Sequence, residues 1–164
     1  MQRLKFKALR VFKALRAVQK TKELLRSVQR LYIMEKTKRF EDLEVFQKAR
    51  ELCKEIYKAT NNEPFRSDHR FVQQIRASSG SIMDNIAEGY ERNGNKEFVN
   101  FLYIAKGSCG EVRSQIIRAK DVGFINSEKA DTLYANTLSI SKSIYHLILS
   151  LSKSGFSGAK YYDP

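Results

Sequence analysis

Chemistry in a protein of this size would have to start from its histidines, cysteines and paired carboxylates. The chain has only two histidines, His69 and His146, and neither has a cysteine or carboxylate at metal-ligand spacing. The Glu-x-x-His pair that di-iron bundles use is missing as well. Cys53 and Cys109 stand alone, each inside a helical apolar pattern, and read as small buried hydrophobes of a chain in a reducing, cytoplasmic setting. Gly107 and Gly110 also lie in a helical pattern, without the Lys-Ser/Thr that would follow in a phosphate-binding loop. A serine or cysteine nucleophile needs an adjacent base, and no spacing supplies one. The expectation is a non-enzymatic protein without a cofactor or metal.

What stands out chemically is charge. Residues 1–39 hold 13 Lys/Arg against Glu23 and Glu35, so this segment carries +11 of the chain's formal net charge of +12. From residue 40 onward 17 Lys/Arg meet 16 Asp/Glu, close to neutrality. Attraction to a polyanion is therefore expected to reside in the first segment and to disappear when it is removed. Its carriers are Arg3, Lys5, Lys7, Arg10, Lys13, Arg16, Lys20 and Lys22.

The elements that position these groups are helices. Leu4, Ala8, Val11, Leu15 and Val18 recur at spacings of four and three, which predicts a basic amphipathic helix in the first segment. A translational start at Met34 would instead make the preceding 33 residues an upstream extension. Four further blocks repeat the helical period. The first runs over residues 42–60, with Leu43, Phe46, Ala49, Leu52, Cys53, Ile56 and Tyr57 on one side, and ends at Asn61, Asn62 and Pro64. The second begins at Ser67-Asp68 and carries Phe71, Ile75, Ile82 and Ile86 to Tyr90. After a turn at Asn93-Gly94, with Asn95 as the expected cap, the third carries Phe98, Leu102, Ala105, Cys109, Val112 and Ile116 as far as Gly123. The fourth enters through Asn126-Ser127-Glu128 and repeats the pattern at Ala130, Leu133, Tyr134, Leu138, Ile144, Leu147, Ile148 and Leu151. Turns this short force neighbouring helices to run antiparallel. The expected fold is all-α: an up-down-up-down four-helix bundle over residues 40–153, preceded by a basic helix in residues 1–39 and followed by a loose tail at 154–164. No apolar run is long enough for a membrane span.

The second and third blocks contain more than a generic bundle needs. Ala77, Ser78, Ser79, Gly80 and Ser81 are all small, as are Ala105, Gly107, Ser108 and Gly110. Glycine costs a helix about 1 kcal/mol relative to alanine, and close approach of the two helices is the simplest offset. Gln74, Ser78, Ser81, Asn85 and Glu88 form a polar stripe beside the apolar one. Such a stripe is either a solvated face or a hydrogen-bonded seam that engages Arg76, Glu111 or Arg113.

Phe40-Glu-Asp-Leu-Glu-Val-Phe-Gln-Lys-Ala49, Gln74-Ile-Arg76, Ser81-Ile-Met-Asp-Asn-Ile-Ala-Glu-Gly89 and Gly107-Ser-Cys-Gly-Glu111 together resemble the four-helix-bundle proteins encoded in intervening sequences of bacterial 23S ribosomal RNA genes. These are in turn similar to the accessory variability determinants of diversity-generating retroelements. The resemblance covers residues 40–152, and Asn-Ile-Ala-Glu-Gly is its most specific element; Phe46 stands where the family commonly has Trp. It implies a homopentameric barrel, no catalytic residues and, in the retroelement relatives, a basic surface for nucleic acid and a reverse transcriptase. Arg76, Arg92, Lys96, Arg113, Arg118 and Lys120 are the bundle cations that could contribute to such a surface, and Gln74, Ser81, Asn85, Glu88, Gly89, Gly107, Ser108 and Glu111 are the motif positions. The function expected is that of an oligomeric adaptor binding nucleic acid, RNA foremost. The alternative is an assembly scaffold whose N-terminal helix lies on a membrane surface.

Overall fold

The computed structural model describes residues 16, 18–21 and 39–152. The chain divides into two units, Met1–Lys38 and Arg39–Pro164. In the first, residues 16 and 18–21 are helical, and Arg16, Val18 and Lys20 are exposed. Arg3, Lys5, Lys7, Arg10, Lys13 and Lys22, together with the tail at 154–164, lie outside the described residues.

The second unit is a four-helix bundle. A 3-10 turn at Phe40–Asp42 leads into α1 (Glu44–Thr60), and a second at Phe65–Ser67 leads into α2 (His69–Glu91). α3 (Asn95–Asp121) and α4 (Ser127–Ser152) follow. The described residues contain no strand. Each helix packs on its sequence neighbours, and α4 closes the ring against α1, which is the up-down-up-down order expected from short turns.

The apolar periodicity maps onto the core. Ala49, Leu52 and Ile56 of α1 and Ile75, Ile82 and Ile86 of α2 are buried. Leu102, Ala105, Val112 and Ile116 of α3 and Leu133, Ile140, Ile144 and Ile148 of α4 complete the interior. Each buried aliphatic side chain contributes on the order of 1.5–3 kcal/mol, so the bundle rests on this stripe rather than on its surface ion pairs. Thr60 and Thr137 are buried among them, and each returns its hydroxyl to the carbonyl one turn earlier, at Ile56 (2.8 Å) and Leu133 (2.7 Å). The hydroxyl proton is thus satisfied within each helix, and the Thr60 oxygen also accepts from Arg76 Nε of α2.

The ends differ in detail from the expectation. Asp68 caps α2 by accepting the Phe71 N–H (3.0 Å), and Asn126 caps α4 by accepting the Lys129 N–H (2.8 Å). Asn95, by contrast, is the first residue of α3; Gly94 precedes it in an extended conformation and offers no side-chain cap. Among the described residues the left-handed positions are Asn93 (φ 55°), in the α2–α3 turn, and Gly123 (φ 77°), where α3 stops. Tyr57 and Tyr134, placed by periodicity on the apolar side, are 49% and 37% exposed.

One end of the bundle is closed by an aromatic group that the helical period does not reveal. Phe65 in the second 3-10 turn stacks on Phe124 in the α3–α4 turn with centroids 5.0 Å apart, and Phe71 packs against both at 5.0 and 6.0 Å. At the other end Tyr90 and Phe98 meet edge to face at 5.9 Å.

Candidate functional site

The polar stripe on α2 is a seam with α3. Gln115 Nε2 donates to Ser78 Oγ (3.0 Å), and Arg118 Nη2 donates to Gln74 Oε1 (3.0 Å). Asn85 Nδ2 donates to Ser81 O (2.7 Å) and Ser81 Oγ (3.0 Å), and the Ser81 and Ser108 hydroxyls share a hydrogen bond of 2.9 Å. Ser108 Oγ also donates to Ile104 O (3.2 Å). A hydroxyl has one proton, so Ser81 is the donor in the pair and the chain runs Asn85 to Ser81 to Ser108 to Ile104. Of the two readings of the stripe the seam is correct, but its partners are Ser108, Gln115 and Arg118. The residues suggested by sequence lie elsewhere. Glu111 is exposed, Arg113 Nε donates to Cys109 O in its own helix (3.3 Å), and Arg76 turns toward α1. Glu88 also leaves the stripe, pairing with Arg92 at 2.6 Å.

The glycines divide in the same way. A Cβ on Gly89 would fall 2.6 Å from Phe101 Cβ and 2.9 Å from Phe98 Cδ2, so α3 leaves no room for a side chain at the end of the Asn-Ile-Ala-Glu-Gly segment. Gly107 and Gly110 have nothing within 4 Å of such an atom, and Gly80 has only the Asp84 carboxylate at 3.9 Å. The two helices do meet through the small cluster, at Ser81 and Ser108 and at buried Ser79 and Ala105, but among these glycines only Gly89, outside the cluster, is itself at a close contact. Gly107 and Gly110 lie along the same α3 surface as Tyr103, Ile104 and Ile117, which are about half exposed.

The cations fall into two groups. On α1, Lys48, Lys54 and Lys58 are each paired with a glutamate one turn away, and Lys129 of α4 reaches Glu55 at 2.6 Å. Lys120 pairs with Asp131 at 3.3 Å. These charges are largely cancelled locally. A second group is held by neutral groups. Arg76 Nε donates to Thr60 Oγ1 (2.9 Å) and Nη2 to Asn61 Oδ1 (2.7 Å), with its guanidinium 4.4 Å above the Tyr57 ring. Arg113 lies 5.9 Å from the Tyr134 ring and Arg118 only 3.8 Å from the Phe71 ring. Arg70 and Lys96 are exposed, and no ion pair involves either among the described residues.

The bundle cations do not form one patch. Lys96 and Arg118 lie 22 residues apart on a single helix, about 33 Å at 1.5 Å per residue. Arg92 belongs to the Lys96 end, where Glu88 neutralises it. At the other end Arg70, Gln74 and Arg118 line a cleft of about 420 Å³ together with Asp68, Phe71 and Phe124. Sequence reasoning did not single out Arg70, and the only available signal was its place next to the cap of α2.

Burial pushes the Cys109 thiol up to about 11 and raises that of Cys53, so neither is poised as a thiolate. No group of three or more His, Cys, Asp or Glu able to hold a metal occurs among the described residues. No described helix is long and apolar enough to cross a membrane.

No curated protein matches the chain. Its fold is similar to a crystal structure of a protein of unknown function from the S23 ribosomal protein family of Bacteroides thetaiotaomicron VPI-5482, with a TM-score of 0.59 and 25% identity. That match covers 63% of this chain and 97% of the other. A sequence model described as 23S rRNA-intervening sequence protein matches residues 41–146, which takes in the whole polar seam, Gly89 and the cleft at Arg118. The chain belongs to the 23S rRNA-intervening sequence protein family.

Proposed function

We propose that the chain is a non-enzymatic, self-associating adaptor that binds RNA. The observation that carries this reading is the set of arginines anchored on neutral groups. Arg76, Arg113 and Arg118 are fixed by aromatic rings, amides and carbonyls rather than by carboxylates, so their charge remains available to phosphate. Residues 1–39 add a net +11. The family's description points to ribosomal RNA as the polyanion to try first.

Self-association is supported by the surface of α3. Tyr103, Ile104 and Ile117 expose apolar area around Gly107 and Gly110, and among the described residues no contact offsets the helix cost of those two glycines. A second copy lying on this face would do so, and the homopentamer is the assembly to look for. A reverse transcriptase, the protein partner implied by the retroelement resemblance, is a narrower version of the same adaptor reading.

Binding of a labelled RNA should be measured across a salt series together with the mass of the particle in solution. Logarithmic affinity should fall linearly with logarithmic salt, with a slope near −0.7 per phosphate neutralised on a single strand. Deleting residues 1–33 should make the slope shallower. Affinity insensitive to salt, or no binding at low salt, would overturn the RNA reading. A particle with the mass of one chain would overturn self-association.

A further inference from the structure

The cleft at the start of α2 and the end of α3 combines features that a general basic surface lacks. Phe71 is buried against Phe65 and Phe124, which makes its ring a fixed floor. The Arg118 guanidinium lies 3.8 Å above that ring and is tied at Nη2 to Gln74 Oε1. One face and one edge of the guanidinium are thereby occupied, while the residue stays exposed at the cleft. A planar cation held this way is a ready platform for another planar group. The Gln74 amide nitrogen is left over as a donor, and the exposed Arg70 guanidinium lies on the same lining.

The cleft holds one acid, Asp68. Its Oδ1 is engaged by the Phe71 N–H, where it caps the positive end of α2. The space of about 420 Å³ is open to solvent on one side, so a group resting there is held on its inner face only.

We infer that this cleft binds one unpaired nucleotide of single-stranded RNA, its base stacked on the free face of Arg118 and its phosphate paired with Arg70. The inference rests on the RNA reading above and adds a location and a strand preference to it. A base that must lie flat on Arg118 has to leave its neighbours, so paired RNA is excluded from the site. Gln74 then donates to an acceptor on the base edge.

The test compares the full chain with Arg118→Ala, Arg118→Lys and Arg70→Ala, using a labelled single-stranded 12-mer RNA of mixed sequence and its duplex. Arg118→Ala should weaken single-strand binding on the order of tenfold, and Arg118→Lys nearly as much, because lysine keeps the charge and loses the plane. Arg70→Ala should weaken binding and make the salt dependence shallower. Duplex affinity should fall less than single-strand affinity in Arg118→Ala, which loses a charge, and should stay near the wild-type value in Arg118→Lys, which keeps it.

A second readout needs no substitution. Photocrosslinking of 4-thiouridine-substituted RNA to the wild-type chain should place adducts on the peptides holding Phe71, Gln74 or Arg118. Full affinity in Arg118→Lys, or adducts confined to other peptides, would overturn the cleft while leaving RNA binding intact. Absence of RNA binding by the wild-type chain would overturn both.

Discussion

Replacing Gly89 and Gly107 separately by alanine adds the same methyl group to two helices and should shift stability in opposite directions. At Gly89 the new carbon falls 2.6 Å from Phe101 Cβ, an atom tied directly to the backbone of α3, and 2.9 Å from Phe98 Cδ2. Ordinary contact needs about an ångström more, so α2 and α3 must separate where Tyr90 and Phe98 close the bundle. Overpacking costs about 1–3 kcal/mol, a clash with an atom fixed to the backbone belongs to the upper part of that range, about 2–3 kcal/mol, and the better helix propensity of alanine offsets about 1 kcal/mol of it. The net expectation for Gly89→Ala is a loss of about 1–2 kcal/mol, or a fall in Tm of roughly 4–10 °C for a domain of this size. At Gly107 nothing lies within 4 Å, so only the propensity gain remains and Tm should rise by about 4 °C. Urea and thermal unfolding followed by far-UV circular dichroism, at two chain concentrations, measure both. A Gly89→Ala protein as stable as the parent would refute the close approach. Should Gly107→Ala gain stability when dilute but lose it when concentrated, the added methyl lies in a contact between copies, as the α3 face suggests.

Two further outcomes follow from groups on the helix surfaces and in the core. The Lys129 ammonium, and then Lys58, hold the Glu55 carboxyl down to about 2 from an ordinary 4.5. A depressed carboxyl favours the folded state fully above its unfolded value, and that contribution fades as pH falls from about 4.5 toward 2. Glu55→Gln should therefore flatten the loss of stability in this window, measured by denaturant midpoints at several pH values, and an unchanged acid limb would refute the assignment. Burial that lifts the Cys109 thiol to about 11 predicts negligible labelling by a thiol reagent in the folded protein near neutral pH. Half-buried Cys53 should react first, and Cys109 only on unfolding; equal rates would show that the α3 core opens locally.

The bundle was legible in the sequence because its core residues repeat at three and four positions, and water exclusion requires little else. Partner choice was not. The stripe of Gln74, Ser78, Ser81 and Asn85 could be read along α2 alone, but the residues facing it depend on where α3 starts and stops. Gln74 meets Arg118, 44 positions away, rather than Arg76 or Arg113. The glycines show the same limit. The helix cost of each is visible in the sequence, yet only the opposing Phe98 and Phe101 reveal that Gly89 is at a contact and Gly107 is not. Phe65 and Phe124 sit in turns, where periodicity carries no information, so the aromatic closure and the cleft beside it emerge only from the folded chain. Tyr57 and Tyr134 matched the apolar period while lying half outside, each beneath an arginine, because a tyrosine ring serves a cation as readily as a core.

The seam of amides and hydroxyls between α2 and α3 differs mechanically from the greasy contacts around it. Contacts between isoleucine and leucine surfaces are non-directional, so apolar side chains can interlock again at more than one whole-turn offset. Pairs such as Ser81 with Ser108 and Ser78 with Gln115 admit a single offset, and sliding by one turn, about 5.4 Å, would disconnect them together. The register of α2 against α3 is therefore keyed at several points along its length, from Asn85 and Ser81 to Gln74 and Arg118.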